Sequence, residues 1–156
     1  MSSSVAYLDS KYDNFPGGPC IYPNLSCNPA TNNIAGTRIP NTSMWSGNVQ
    51  GEYTRRLSDK LKLTGSVIST FRSSYFVEAN LNPTSRQPTY AKVDARLELA
   101  DAGDHWAVSL FARNLTDEHT FNFSYFWPFA AASSAPHQLR YLEETRVVGV
   151  AARWRY

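Results

Sequence analysis

Long apolar runs are missing from this chain of 156 residues. No stretch approaches the ~18 apolar residues that a transmembrane helix needs, which excludes spanning by helices. Helical periodicity is nearly absent as well. There are only two cysteines, Cys20 and Cys27, and the neighbouring segments supply no second Cys or His pair to complete a metal site. His105, His119 and His137 are scattered among different segments and form no ligand cluster. Charge of one sign is also lacking. A net charge of +2 argues for neither a nucleic-acid partner nor an anionic surface. The first residues, MSSSVAYLDSKYDNF, contain neither a basic n-region nor an apolar h-region, so they do not read as a signal peptide. Taken literally that means a cytoplasmic protein, a reading the rest of the sequence opposes. No nucleophile–base pair and no phosphate-cradling glycine loop is found. The expectation is therefore a protein that is not an enzyme and carries no cofactor.

What is present is strand-like alternation, with aromatics at 13% of the residues. In TYAKVDARLEL, Ala91, Val93, Ala95, Leu97 and Leu99 fall on one face, and Lys92, Asp94, Arg96 and Glu98 fall on the other. A strand separates these sets completely, whereas a helix would mix them. KLKLTGSVISTFR sets Leu61, Leu63, Val67 and Phe71 against Lys62, Thr64, Ser66, Thr70 and Arg72. HWAVSLFARN and WSGNVQGEYT behave the same way. An earlier strand is expected around Val5 to Tyr12, and a last one from about Leu142 to Tyr156.

The links between these strands alternate in length. SDK and DAGD are tight turns, the second with Gly103 free to take positive φ. Long loops rich in Pro, Asn, Ser and Gly are expected at about 14–41, 78–87 and 119–140. Short turns at one end and long loops at the other predict an all-β, antiparallel up-and-down meander of about six long strands. Soluble sandwiches also alternate, but their strands usually run ~5–6 residues. Strands of ten or more suit a tilted crossing of a bilayer, with the apolar face outward. Aromatics near strand ends (Trp45, Tyr53, Phe71, Tyr75, Tyr90, Trp106, Trp154 and Tyr156) fit two interfacial girdles. The expectation is part of a transmembrane β-barrel. The competing reading is a soluble sandwich or lipocalin-like barrel whose aromatics fill its core.

Three stretches then resemble one family. YAKVDARLELADAGDHWAVSLFARNLTDE resembles the penultimate hairpin of TonB-dependent outer-membrane receptors, ending in Asn114-Leu115-Thr116-Asp117. GVAARWRY resembles their closing strand, and WSGNVQGEYTRRLSDKLKLTGSV the preceding hairpin. The resemblance implies a Gram-negative outer-membrane location and contact with outer-membrane lipid. It implies that Trp154 and Tyr156 form the terminal signal read by the assembly machinery. It further implies a parent receptor that imports siderophores or other bulky solutes, energised by the TonB complex through a plug domain. No plug and no coupling box is found here, and there is room for only about six of some twenty-two strands. The chain accordingly reads as residues 1–156 of a C-terminal barrel fragment. The alternatives are a structural or adhesive outer-membrane β-protein without transport, and a soluble β-barrel carrier of an apolar ligand.

Individual residues are weighed on the same footing. Cys20 and Cys27 lie seven apart among Pro and Asn, which suits a loop-stapling disulfide in an oxidising compartment. Two unrelated thiols are the alternative. The aromatic run Phe121, Phe123, Tyr125, Phe126 and Trp127 lies in an expected external loop and is either ligand-facing or an interfacial belt. Lys92, Asp94, Arg96, Glu98, Arg113, Arg153 and Arg155 are read as cross-strand ion pairs in a wet interior rather than a substrate path. Asn114 to Glu118 is read as a strand-exit turn, since it lacks the ligand spacing of a calcium loop.

Overall fold

A computed structural model describes the chain except for residues 22, 25, 127–137 and 156. It is all-β with a single 3-10 turn at Pro83–Ser85. Six strands build one antiparallel sheet: β1 (Ser2–Tyr7), β2 (Trp45–Arg56), β3 (Leu61–Arg72), β6 (Tyr90–Asp101), β7 (Trp106–Arg113) and β10 (Val147–Trp154). Each pairs with the next along the chain, so the expected up-and-down meander of six strands is what forms. Two small ribbons lie in the long connections after β3 and β7. The first pairs β4 (Tyr75–Phe76) with β5 (Arg86–Gln87), and the second pairs β8 (Phe121–Phe126) with β9 (Gln138–Leu142).

Strict alternation fixes the register, because a slip of one residue would exchange the two faces of a strand. Val67 lies opposite Gly51 and Ala95, Leu97 opposite Gly65 and Leu110, and Val150 opposite Leu110. Most of the large apolar residues of the six strands thus share one face, Ile68 and Phe111 being exceptions. β2, β3 and β6 run 12 residues each. At ~3.3 Å per residue that is about 40 Å along the strand.

The first and last strands differ from expectation. β1 spans Ser2–Tyr7 rather than Val5 to Tyr12, because residues 8–44 leave the sheet after Tyr7 into a loop folded on itself. That loop closes through the bridges Lys11–Arg38 and Pro16–Asn33 and buries Ile34. β10 begins at Val147 rather than Leu142, because Gln138–Leu142 is taken up by the separate ribbon with β8. The DAGD turn also departs from its expected chemistry. Asp104, not Gly103, has the positive φ, at 61°. At Gly103 a Cβ would lie 2.6 Å from the exposed His105 ring, which would have to swing aside.

Candidate functional site

The sheet presents two faces of opposite chemistry. On one, Val5, Val49, Val67, Leu97, Val108, Leu110, Val148 and Val150 are all exposed. Soluble monomers rarely leave contiguous apolar patches beyond a few hundred Å², and this one runs across all six strands. Aromatics bound it at both ends. The rings of Tyr7 and Trp45 meet at a tilt, their centroids 4.9 Å apart, beside the long loops, while Trp106 and Trp154 pair across the sheet beside the short turns. Trp45 and Tyr53 stand on the same strand and face, eight residues apart, or about 26 Å at ~3.3 Å per residue. On strands tilted by ~35–45°, as in outer-membrane barrels, that projects to about 20 Å along the membrane normal, somewhat less than their ~25 Å apolar band.

The opposite face is polar. Arg96 pairs with Glu98 at 2.5 Å, and Asp94 accepts a hydrogen bond from the Asn114 backbone N–H at 2.8 Å. Arg113 reaches Glu144 at 3.7 Å. At the short-turn end Asp104 receives Lys62 at 2.8 Å and Arg153 at 3.8 Å. The hydrogen bond from Lys62 holds the Asp104 carboxyl below the usual carboxylate range. Phe111 is the large intruder on this face. It lies over Gly149, where a Cβ would sit 2.5 Å from the ring, so glycine there is a condition of the aromatic's placement.

Above the polar face, at the long-loop end, the two ribbons close on a compact cluster. Tyr75, Val77, Tyr90 and Phe121 form its apolar centre. Polar groups tie it from several sides. Gln87 Oε1 accepts from the Phe121 N–H at 3.0 Å, and Glu78 accepts from the hydroxyl of Ser124 and from Gln138. Glu143 accepts from the Thr120 hydroxyl at 2.6 Å and from Lys92 at 3.0 Å. Those two donors, the hydroxyl first, hold Glu143 below its ordinary value. Burial pushes the Tyr75 phenol up to about 12, and the neighbouring Tyr90 adds to the shift. The Arg72 guanidinium lies 4.4 Å from the Tyr75 ring centroid and Arg140 lies 4.6 Å from that of Phe121.

Not all the residues singled out in the sequence stay together. Cys20 and Cys27 are bonded, with their Cα atoms 5.6 Å apart. Phe121 is buried in the loop-end cluster. A register shift between Phe121 and Phe123 is the reason, because the extra residue moves Phe121 and Ser124 to the inner side and Phe123 to the outer. Phe123 is exposed, its ring 5.8 Å from those of Tyr125 and Tyr141. Phe126 lies in β8 with only its backbone described, and Trp127 and Tyr156 lie outside the described residues. Trp154 is exposed at the end of the apolar face. Tyr75 and Tyr90 correct the girdle reading, since both are core residues of the cluster. For Tyr90 the parity was informative: it falls in step with Lys92, on the polar side. Asn114 forms the strand-exit turn, with positive φ, accepting from the Glu118 N–H and donating to the Glu118 carbonyl.

No protein-family model, curated protein or solved structure matches this chain. Among the described residues no group of three or more His, Cys, Asp or Glu could hold a metal ion.

Proposed function

We propose that this chain is the C-terminal part of the β-barrel of a TonB-dependent outer-membrane receptor, whose parent imports siderophores or other bulky solutes. The observation that supports it best is the exposed apolar face, bounded by aromatics about 26 Å apart along a strand, backed by a charged face. Lipid is the solvent for which such a face is stable. A tilted strand of 12 residues has the length to cross the ~30 Å hydrocarbon core. Strands β1 and β10 each pair on one side only among the described residues. Unpaired strand edges are not tolerated in hydrocarbon, so the six strands would form one wall of a larger closed barrel, completed by the rest of the parent receptor or, for this chain by itself, by further copies of it. The polar face then lines the interior, where a plug domain would sit and couple to the TonB complex. Trp154, at the end of the closing strand, would belong to the signal read by the assembly machinery.

The membrane part of this reading is tested by quenching. Trp45, Trp106 and Trp154 all stand on the apolar face, so brominated lipids should quench most of the tryptophan emission of reconstituted protein. A monodisperse monomer in plain buffer, with no quenching on addition of vesicles, would sink it in favour of a soluble carrier. The receptor part is tested in genomic DNA, where the frame upstream of Met1 should encode a plug-like segment. A promoter and genuine start at Met1 count against it.

A further inference from the structure

Beside the loop-end cluster lies a cavity of about 350 Å³, between the last part of the first long loop and the β4–β5 ribbon. Ile39, Met44, Phe76 and Leu81 give it apolar walls, and Thr42 and Ser74 add hydroxyls. That size, with a mostly apolar lining and a few polar groups, is the composition of small-molecule sites. Two of the lining residues are Arg38 and Arg86, and no carboxylate lines the cavity among the described residues.

The charge around these two guanidiniums does not balance. Arg38 reaches Asp9 at 3.3 Å, but the same carboxylate also receives Lys11 at 3.0 Å, so one anion serves two cations. Arg86 donates to the Ser74 hydroxyl at 2.8 Å, a neutral acceptor. Arg86 is exposed and Arg38 about a third exposed, so both guanidiniums stay open to an incoming anion. The planar fork of a guanidinium matches the two oxygens of a carboxylate or phosphate.

We propose that this cavity binds a small molecule with an apolar body and one acidic group, either a carboxylate or a phosphate monoester. The acid meets Arg86 and Arg38, and the body packs against Met44 and Phe76. The site depends on neither transport nor the membrane reading of the sheet.

The experiment uses the full chain folded in detergent, with naphthoate and naphthyl phosphate as acidic probes and naphthylmethanol as the neutral one. Binding is followed by ligand-observed NMR against empty micelles. One or both acids should bind saturably, which also tells carboxylate from phosphate. The alcohol should bind at least about tenfold more weakly, as loss of a charge-assisted contact implies. Arg86→Gln and Arg38→Gln should each weaken the preferred acid, whereas Arg56→Gln, at the opposite end of the sheet, should not. Gel mobility before and after heating reports folding separately, so a variant that fails to fold is distinguished from one that has lost the site. Acid binding no better than to empty micelles, an equally tight alcohol, or intact binding in both arginine variants would overturn the proposal.

Discussion

In the six-stranded sheet Val67, Leu97 and Val150 point away from the protein and stay exposed, whereas at the loop end Tyr75, Val77, Tyr90 and Phe121 close on one another. The two regions share a chain and a β architecture yet place apolar groups in opposite senses. The loop-end cluster is built for water: an apolar centre enclosed by Gln87, Glu78, Glu143 and Arg140, each with hydrogen-bond partners. The sheet leaves valine and leucine exposed across a whole face, which on the membrane reading proposed above suits lipid. Substituting in each region therefore asks which solvent it sees.

The largest effect is expected in the cluster. Phe121→Ala removes a buried aromatic from a site in water, and about 3–5 kcal/mol of local stability should go with it. Protease sensitivity of the β8–β9 ribbon, with unchanged tryptophan quenching in lipid, is the expected signature. If the ribbon stays as resistant as in the parent, Phe121 is not the centre of that cluster.

The sheet gives the next largest effect, and here the comparison of faces sharpens. Leu97→Arg places a charge on the apolar face near mid-strand and should cost about 2–4 kcal/mol in lipid vesicles. Thr64→Arg puts the same group on the polar face opposite Glu98, where it should change stability by less than about 1 kcal/mol. Urea midpoints of the two variants in vesicles settle the matter. Equal costs, or a tolerated Leu97→Arg, would mean that the apolar face does not meet lipid.

These contrasts bear on how much the sequence could disclose. Period-two alternation in TYAKVDARLEL and HWAVSLFARN is a local property, so the meander and the two faces of its central strands were legible from the residues alone. The cluster was not, because Tyr75, Tyr90 and Phe121 come from three separate segments and meet only through the ribbons. A register shift at Phe121 and Phe123 is invisible to a pattern that assumes strict alternation. The arginine-lined cavity escaped for a similar reason. Arg38 and Arg86 are 48 positions apart (86 minus 38), in loops whose folding no periodicity predicts.

Removing the Cys20–Cys27 bond should act more weakly and more locally. Closing a loop this short contributes about 2.5 kcal/mol in the chain-entropy account. Alkylation should add mass only after reduction, and reduced protein should keep its lipid quenching. Labelling of both thiols without reductant would remove the bond from the account of this loop.

The smallest effect concerns pH and separates the cluster from the sheet once more. Glu143 has its carboxyl lowered by the Thr120 hydroxyl and Lys92, so the folded protein holds that proton less tightly than the unfolded chain. Its contribution is therefore present above the unfolded value near 4.5 and is lost as pH falls through the lower folded value. The carboxylate is about a third exposed, which keeps the effect modest. Hydrogen exchange of the β8–β9 ribbon should accelerate below pH about 4.5, beyond the intrinsic trend. In Glu143→Gln that acid response should flatten, because the amide cannot titrate. The central amides of β3 and β6 should show no matching change in either protein. An identical acid response in the parent and Glu143→Gln would assign the effect to another carboxylate, and a response shared by the sheet would mean that the two regions do not open independently.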